Sequence, residues 1–326
     1  MTAVESSPRA PHRLRHDQVD TRVNLSADPS QPLQLANPIV TASGCFGSGR
    51  ELQRFFDIAN LGAVVVKSLT VEPRDGLPTP RMAETASGML NAIGLQNPGI
   101  EAWVATELPW LHGLGVPVIV SIAGKTVAEY RELAEHLRDQ PGVVAIEANI
   151  SCPNVEDRNV VFACRQDATR KAIQQVTSVS TVPVFAKLTP DVTDIVAIAK
   201  AAVAGGASGV SLVNTLLGMA IDAEFRRPKL AAVTGGLSGP AIKPVALRAV
   251  HQVHQALPDL PIIGMGGVRS VTDVVEFLLA GANAVAVGTA TFANPMVTLE
   301  LTQGLSRWCA ERGIATAAEL RGALDW

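Results

Sequence analysis

The stretch VVAIEANISCPN (143–154) begins as a β-branched strand and ends in cysteine, proline and asparagine. Successive strand residues point to opposite sides, so Ile146 and Ala148 share one side while Glu147 and Asn149 share the other. Polar groups inside a barrel or sheet need partners, because burying them alone costs free energy. The stretch therefore predicts a strand whose carboxyl end belongs to a site and continues into a loop that carries Cys152.

The same kind of run recurs along the chain, with helix-period segments in between. The eight runs occupy 39–44, 63–70, 117–124, 143–151, 183–189, 209–215, 261–267 and 284–290. They predict an α/β fold, a TIM (β/α)8 barrel, in which a preceding hairpin at about 23–37 closes one end. The alternative is a doubly wound open sheet, but no G-x-G-x-x-G follows the first run.

The segments between the runs carry further signals. Thr126 with Glu129, and Ser270 with Asp273, have the spacing of capping boxes and predict helix starts. The connections 71–99 and 216–239 are long and rich in Asn, Gly and Pro. We expect both to be inserted loops that face the substrate, and we expect the loop after residue 151 to close over the site.

Composition excludes several classes of function. A net charge of -3, from 27 basic and 30 acidic residues, leaves no electrostatic footprint for nucleic acid or anionic lipid. The uncharged stretches 201–221 and 277–297 are interrupted by Gly, Ser, Asn or Pro, so no membrane span is predicted. Residues 1–21 have no apolar signal-peptide core and are predicted to be a flexible tail before a single domain, 22–326, in a cytoplasmic protein.

The cysteines show no metal-binding pattern. Cys45, Cys152, Cys164 and Cys309 lack C-x-x-C spacing, so neither zinc nor an iron–sulfur cluster, and no other metal, is expected on this chain. We expect Cys45, Cys164 and Cys309 to be small buried apolar residues. Cys152 is set apart by its position after the fourth run.

Polar residues gather where the runs end, and in a barrel those ends form the active-site face. They are Lys67, Asn149, Ser151, Lys187, Asn214 and Thr215. A ligand is the usual partner of several such groups at one mouth. A purely internal polar network, or lysines that extend to the rim, is the alternative reading.

Runs seven and eight end in glycine. The strings GMGGV (264–268) and AGANAVAVGTA (280–290) offer approachable backbone amides near a helix N-terminus, which suits a phosphate monoester. Flavin mononucleotide (FMN) and a sugar phosphate would fit equally well. Alternatively, Gly266 and Gly267 only permit a tight turn.

Five strings together resemble the dihydroorotate dehydrogenases, the flavoproteins of pyrimidine biosynthesis. They are NAIGLQNPG (91–99), NISCPN (149–154), VNTL (213–216), GGLSGPAIKP (235–244) and PIIGMGGV (261–268). The resemblance extends from about residue 22 to near the C-terminus. It is nearest to the NAD-linked class 1B, because cysteine rather than serine stands at the base position and GGLSGPAIKP follows the wording of that branch.

The resemblance implies a reaction and its components. Dihydroorotate would be oxidised to orotate over FMN, with Cys152 as the general base that takes a proton from carbon 5. It also implies a homodimeric core and a partner subunit that carries FAD and an iron–sulfur cluster and passes electrons to NAD. The alternatives are a fumarate-linked class 1A enzyme and another FMN-dependent dihydropyrimidine dehydrogenase. A phosphate-binding lyase or isomerase and a non-catalytic scaffold are the readings outside this class.

Roles carry over position by position. Lys67 and Asn149 match residues that contact both flavin and substrate, and Lys187 matches the lysine at the anionic edge of the flavin. The other predicted substrate contacts are Asn91, Ala92, Ile93, Gly94, Leu95, Asn154, Asn214 and Thr215. The other predicted flavin contacts are Ser43, Ser68, Ser121, Val213 and Gly239, with Gly266, Gly267, Gly288 and Thr289 at the phosphate. Ser121 departs from the asparagine common in this branch, which puts one flavin hydrogen bond in doubt.

Overall fold

The computed structural model describes residues 14–28, 32–151 and 161–325. Within them, the strands β1 to β16 span, in chain order, Val23–Asn24, Gln34–Leu35, Ile39–Thr41, Val64–Val65, Met82–Thr85, Gly88–Asn91, Val118–Ile122, Val143–Asn149, Val184–Leu188, Gly209–Leu212, Leu216–Met219, Ile221–Asp222, Arg227–Pro228, Thr234–Ser238, Ile262–Met265 and Ala284–Val287. The helices α1 to α8 span Ile100–Leu114, Val127–Leu137, Gln166–Thr177, Ile195–Ala204, Lys243–Ala256, Val271–Leu279, Ala290–Ala293 and Val297–Glu311.

Eight parallel strands form a nearly closed barrel in the order β3-β16-β15-β10-β9-β8-β7-β4. The last gap, between β3 and β4, is spanned by a bridge that pairs Val40 with Ala63. Each of the eight predicted runs contains one of these strands, so the TIM-barrel prediction is confirmed. Their carboxyl ends therefore share one face of the molecule.

Apolar residues fill two layers, one outside the strands and one inside. Ile146 and Ala148 of β8 belong to the layer between the strands and the helices. Ala145 of β8 and Phe185 of β9 instead belong to the inner layer, together with residues of the hairpin β1–β2. Burying a side chain the size of Phe185 contributes about 1.5–3 kcal/mol. The alternation read from the sequence is thus the alternation of the barrel wall, and the hairpin packs onto the inner layer as predicted.

We expected the two long connections to be loops, but both contain strands. Segment 71–99 contains β5 and β6, and segment 216–239 contains β11 and β14. These four strands form one antiparallel sheet, in the order β11-β14-β6-β5, which we name the cap sheet. Both segments are insertions at the carboxyl-end face, as expected, but their strands were not predicted. A side chain at Gly236 of β14 would meet Thr215, so glycine there permits close packing of the cap sheet on the barrel.

Both predicted helix starts are present. Ser270 and Asp273 form a complete capping box on α6, in which each side chain bonds to the other's backbone. Burial raises the pKa of Asp273, but hydrogen bonds from Lys243, Arg269 and Ser270 outweigh it, and the pKa lies below its usual value. On α2, Thr126 accepts from the Glu129 amide, whereas the Glu129 carboxylate turns to the amide of Lys125.

The predicted tail, 1–21, lies only partly within the residues that the structure describes. Residues 1–13 belong to the undescribed part, while the Asp20 amide donates to the Ala315 carbonyl at 2.9 Å. The division between a tail at 1–21 and a domain at 22–326 stays a prediction. Among the described residues, no helix is long and apolar enough to cross a membrane.

Candidate active site

The predicted polar side chains meet at the carboxyl ends of adjacent strands. Ser121 of β7 is the cross-strand neighbour of Glu147 on β8, and Asn149 of β8 is the neighbour of Lys187 on β9. Ser211 of β10 continues the row beside Lys187. Because neighbouring strands hold side chains of paired residues close together on one face, these groups lie together inside the barrel.

A buried ion pair lies in this row. The Lys187 ammonium group donates to Ser43 Oγ at 3.1 Å and to Glu147 Oε1 at 3.4 Å. Lys187 is 5% exposed and Glu147 is fully buried. Sequence reasoning noted Glu147 only as part of a polar face and assigned it no role in the site. Its position two residues before Asn149, on the same face of the strand, was the available signal.

A chain of hydrogen bonds links four predicted residues across the mouth. The Asn214 amide group donates to Asn149 Oδ1 at 3.2 Å, and the Asn149 amide group donates to Ser68 Oγ at 3.1 Å. Ser68 and Ser121 then share a hydrogen bond of 2.9 Å between their hydroxyls. We name this arrangement the amide–hydroxyl chain. Ser121, the residue that departs from the family pattern, therefore ends the chain instead of standing alone.

Tyr130 supports this chain from behind. Its hydroxyl, fully buried on α2, donates to the backbone carbonyl of Asn149 at 2.8 Å. Sequence reasoning missed this residue, because a tyrosine on a helix facing the barrel reads as ordinary core. Its hydroxyl fixes the end of β8, shortly before residues 152–160. Ser151 fixes the same end from the other side, since its hydroxyl donates to the Lys187 carbonyl at 2.9 Å.

The glycine turns after β15 and β16 are open at this face. Gly266 and Gly267 have positive φ of 133° and 78°, and a side chain at Gly267 would come within 2.8 Å of the Gly239 carbonyl oxygen. In the part of the chain that the structure describes, the amides of Gly266, Gly267, Gly288 and Thr289 donate to no protein acceptor. Four such amides can bind an anion.

The helix N-terminus predicted beside these turns is already occupied by its own cap. The amides of Arg269 and Ser270 donate to Asp273 Oδ2, at 3.0 and 2.8 Å, and the Asp273 amide donates to Ser270 Oγ. Asp273 and Ser270 thus satisfy three backbone amides at the start of α6, whereas the amides of the glycine turns have no protein acceptor among the described residues. Thr289 also donates its hydroxyl to Ser238 Oγ at 2.8 Å, which joins this region to the cap sheet.

The cap sheet brings the predicted substrate segment to the same face. Asn91, at the end of β6, donates to the Gly236 carbonyl of β14 at 3.3 Å, and Gly236 lies against Thr215. The residues after it turn sharply, with positive φ at Gly94 and Leu95. Ala92 and Ile93 hold the turn through backbone bonds to Arg81 and Leu77. Asn91 to Leu95 are thus connected, through Thr215 and its neighbour Asn214, to the amide–hydroxyl chain.

Val213 and Gly239 stand at the rim near these groups. The Val213 amide donates to the Met265 carbonyl at 3.0 Å, and Val213 is buried. A side chain at Gly239 would come within 2.8 Å of Gly88 Cα, so β6 approaches closely here.

Comparison with known proteins identifies the family. The model of the family described as dihydroorotate dehydrogenase matches residues 30–308. This chain belongs to the dihydroorotate dehydrogenase family. The resemblance inferred from the five strings is confirmed.

Curated relatives agree over nearly their full length. The protein named dihydroorotate dehydrogenase B (NAD(+)), catalytic subunit, of Geobacillus kaustophilus is 52% identical over 290 residues, which cover 89% of this chain and 92% of the relative. The protein of the same name in Listeria monocytogenes is 52% identical over 289 residues, covering 89% and 95%. That of Pelobacter propionicus is 49% identical over 306 residues, covering 94% and 99%.

The cysteines of this dehydrogenase family member differ in their surroundings. Cys309 is buried, as expected, whereas Cys45 is only partly buried and Cys164 is exposed, so the expectation was wrong for Cys164 and only partly met for Cys45. It closes a short turn, Phe162–Cys164, in which the two preceding residues face inward. Burial raises the pKa of the Cys45 thiol to about 11, against the opposing charges of Lys187 and Lys67. Cys45 therefore lies at the mouth, near both predicted lysines.

Two predicted site residues fall outside the described part of the chain. Cys152 and Asn154 belong to 152–160, so their roles as general base and substrate contact stay predictions. The chain segments on either side of these residues are hydrogen-bonded to each other, since the Ile150 carbonyl accepts from the Ala163 amide at 3.0 Å. The described residues that flank 152–160 therefore lie close to each other, next to Asn149.

Proposed function

We propose that this chain oxidises dihydroorotate to orotate as a step of pyrimidine biosynthesis, with FMN bound at the barrel mouth. The observation that supports this most is the combination of two neighbouring features on one face. One is the amide–hydroxyl chain with its adjoining lysines, and the other is the set of open glycine amides. A sugar-phosphate lyase would need the second feature only. Residues 22–326 would form the single FMN-binding domain.

The residues present fit FMN. A phosphate needs several amide donors that lack side-chain obstruction, and the positive-φ glycines after β15 supply them with Gly288 and Thr289. The pyrimidine edge of the flavin gathers negative charge on reduction, and the buried ammonium group of Lys187 suits that edge. Ser43, Ser68, Ser121, Asn149, Lys67, Val213 and Gly239 would complete the contacts.

The substrate would be held by amide side chains. Orotate and dihydroorotate carry alternating carbonyl and amide groups, which Asn91, Asn149 and Asn214 can match because each side chain both donates and accepts. Asn149 and Asn214 are already oriented by their mutual hydrogen bond. Little reorganisation is then required on binding, which favours affinity. Lys67, Ala92, Ile93, Gly94, Leu95, Asn154 and Thr215 are the other proposed contacts.

Cys152 would remove the proton from carbon 5. When bound, FMN supplies the acceptor for the hydride that leaves carbon 6. The base must be a thiolate, and an ordinary thiol with a pKa of about 8.5 is mostly protonated at neutral pH. The rate of substrate oxidation should therefore rise with pH across this range. A loop that closes over Asn149 would also exclude water from the reacting atoms.

We also infer a partner subunit. The relatives are named catalytic subunits of an NAD(+)-linked enzyme, which implies another subunit in those enzymes. We propose that the chain is cytoplasmic and forms a homodimeric core, with a partner that carries FAD and an iron–sulfur cluster and passes electrons to NAD. The four cysteines, which lack cluster spacing, agree with a cluster held elsewhere. Fumarate-linked class 1A activity and another dihydropyrimidine substrate are the competing assignments.

The first test is the visible spectrum of the purified chain without oxygen, before and after dihydroorotate is added. We expect a yellow protein that bleaches. A colourless protein that takes up no FMN would contradict the proposal and favour the lyase. A yellow protein that bleaches only with another dihydropyrimidine would reassign the substrate, and rapid reoxidation by fumarate without a partner would favour class 1A.

The second test is Cys152→Ala. We expect the flavin to remain bound while its reduction by dihydroorotate slows by about 10²–10⁴-fold. The matched control is Cys164→Ala, which removes an exposed thiol from the same face and should leave the rate unchanged. An undiminished rate in Cys152→Ala would rule out this residue as the base.

A further inference from the structure

The buried carboxylate of Glu147 has no explanation in the contacts proposed so far. It is fully buried inside the barrel, and Oε1 lies 3.4 Å from the Lys187 ammonium group. Oε2 has no hydrogen-bond partner among the residues that the structure describes, and the same holds for the hydroxyl of Ser211, the cross-strand neighbour of Lys187. Both groups are fully buried polar atoms in one layer of the barrel.

Stability alone does not account for this arrangement. Desolvating two charges costs more than a single long contact returns, and an apolar pair of similar volume is often as stable or more stable. A hydrogen-bond acceptor left without a donor adds to the cost. The carboxylate therefore has a use that an apolar side chain would not provide.

The use of the Glu147 carboxylate is electrostatic. Burial raises the pKa of the Cys45 thiol, and the positive charges of Lys187 and Lys67 both oppose this rise. Two positive charges therefore lie near Cys45 at the mouth. The carboxylate of Glu147 offsets the charge of Lys187, to which it is paired at 3.4 Å. In a water-poor interior, opposite charges a few ångströms apart interact far more strongly than at the surface. The field that a ligand at the mouth experiences is therefore set by the pair and not by Lys187 alone.

We infer that Glu147 is a positioning residue that holds the Lys187 ammonium group at the proposed flavin site and, by offsetting its charge, lowers the midpoint potential of bound FMN. This inference rests on the proposed function. A lower potential makes the flavin a better donor to its own acceptor, at the expense of its strength as an oxidant of the substrate. Glu147 would thus balance the two half-reactions.

The test is the midpoint potential of FMN bound to Glu147→Gln, measured by equilibration with a reference dye without oxygen. The substitution keeps the shape and removes the charge, so we expect reduced FMN to bind at least about tenfold more tightly relative to oxidised FMN. For a two-electron couple this is a rise of about 30 mV in potential. Glu107→Gln, which neutralises a partly exposed partner of Arg50, and Ser211→Ala, which removes a neutral hydroxyl, should leave the potential unchanged.

The outcomes separate this inference from the proposed function. If the unmodified chain binds no FMN, the proposed function fails; if it binds FMN and Glu147→Gln leaves the potential unchanged, only the inference fails. If Glu147→Gln does not fold, Glu147→Asp is measured instead, because it keeps a carboxylate but draws it away from the Lys187 ammonium group. Its potential should also be higher than that of the unmodified chain, and an unchanged potential would overturn the inference.

Discussion

Removing one hydroxyl behind the site should disturb substrate binding more than its effect on stability suggests. In Tyr130→Phe the Asn149 carbonyl loses a buried donor at 2.8 Å, which costs about 1–3 kcal/mol in the free energy of unfolding. The ring stays packed edge-on against Phe162, so no cavity forms. Asn149 can relieve part of this cost by moving away from the position in which it would bind orotate. If that relief is about 1 kcal/mol, the same free energy is lost from orotate binding and the dissociation constant rises about fivefold.

Two measurements on one pair of variants test this reasoning. Denaturant unfolding gives the change in stability, and titration of the flavin spectrum with orotate gives the dissociation constant. The matched control is Thr126→Ala, which removes the N-cap of the same helix and costs about 1 kcal/mol without contacting Asn149. We expect both variants to lose stability and only Tyr130→Phe to lose orotate affinity. Equal loss of affinity in the two variants would refute the argument.

Three further perturbations follow from the structure. Gly236→Ala places a methyl group within 2.6 Å of Thr215 Cβ, so it should lower the free energy of unfolding by about 1–3 kcal/mol and weaken orotate binding. Gly113→Ala, which has open space around it, is the control and should be neutral or stabilising in the same unfolding experiment. Iodoacetamide at pH 8 should modify Cys164 before Cys45. Burial and the charge of Asp191 raise the pKa of the Cys164 thiol, but this thiol is exposed, whereas Cys45 is less accessible and burial raises its pKa to about 11; peptide mass spectrometry that shows the reverse order would contradict this. The pKa of Asp273 is lowered in the folded chain, so its stabilisation is present above the ordinary carboxyl pKa and is lost as pH falls. Asp273→Asn should therefore lower the melting temperature at pH 7 and make little difference near pH 3, and an equal difference at both pH values would contradict the linkage.

The barrel could be predicted because its signals are local. Period-two alternation in β8 indicates its inner and outer faces without knowledge of any other strand, and Ser270 marks its helix through a residue three positions away. The polar strand ends could be predicted for the same reason. Parallel strands in this fold bring their carboxyl ends to one face, so adjacency in space follows from the fold.

The cap sheet and the role of Glu147 depended on distant partners. The sequence TGGLS did not indicate a strand, because β14 is a central strand between β11 and β6, and β6 lies far earlier in the chain. Glu147 was identifiable as inward-facing, but its partner Lys187 lies 40 positions later and only the register of β8 and β9 joins them. Tyr130 could not be identified from the sequence for a similar reason. Its hydroxyl donates to a backbone carbonyl, and every residue has one, so the sequence gives no sign of the partner.

The pairing of β6 with β14 limits how substrate preference can change. Asn91 and Gly236 are 145 positions apart, yet they are joined by a hydrogen bond in one sheet. A shift of one residue in either strand would exchange the side chains that face the pocket for those that face away. Insertions and deletions, which surface loops usually tolerate, are therefore excluded from these two segments. A new pyrimidine specificity would have to arise by substitutions at fixed positions, coordinated across two distant parts of the gene.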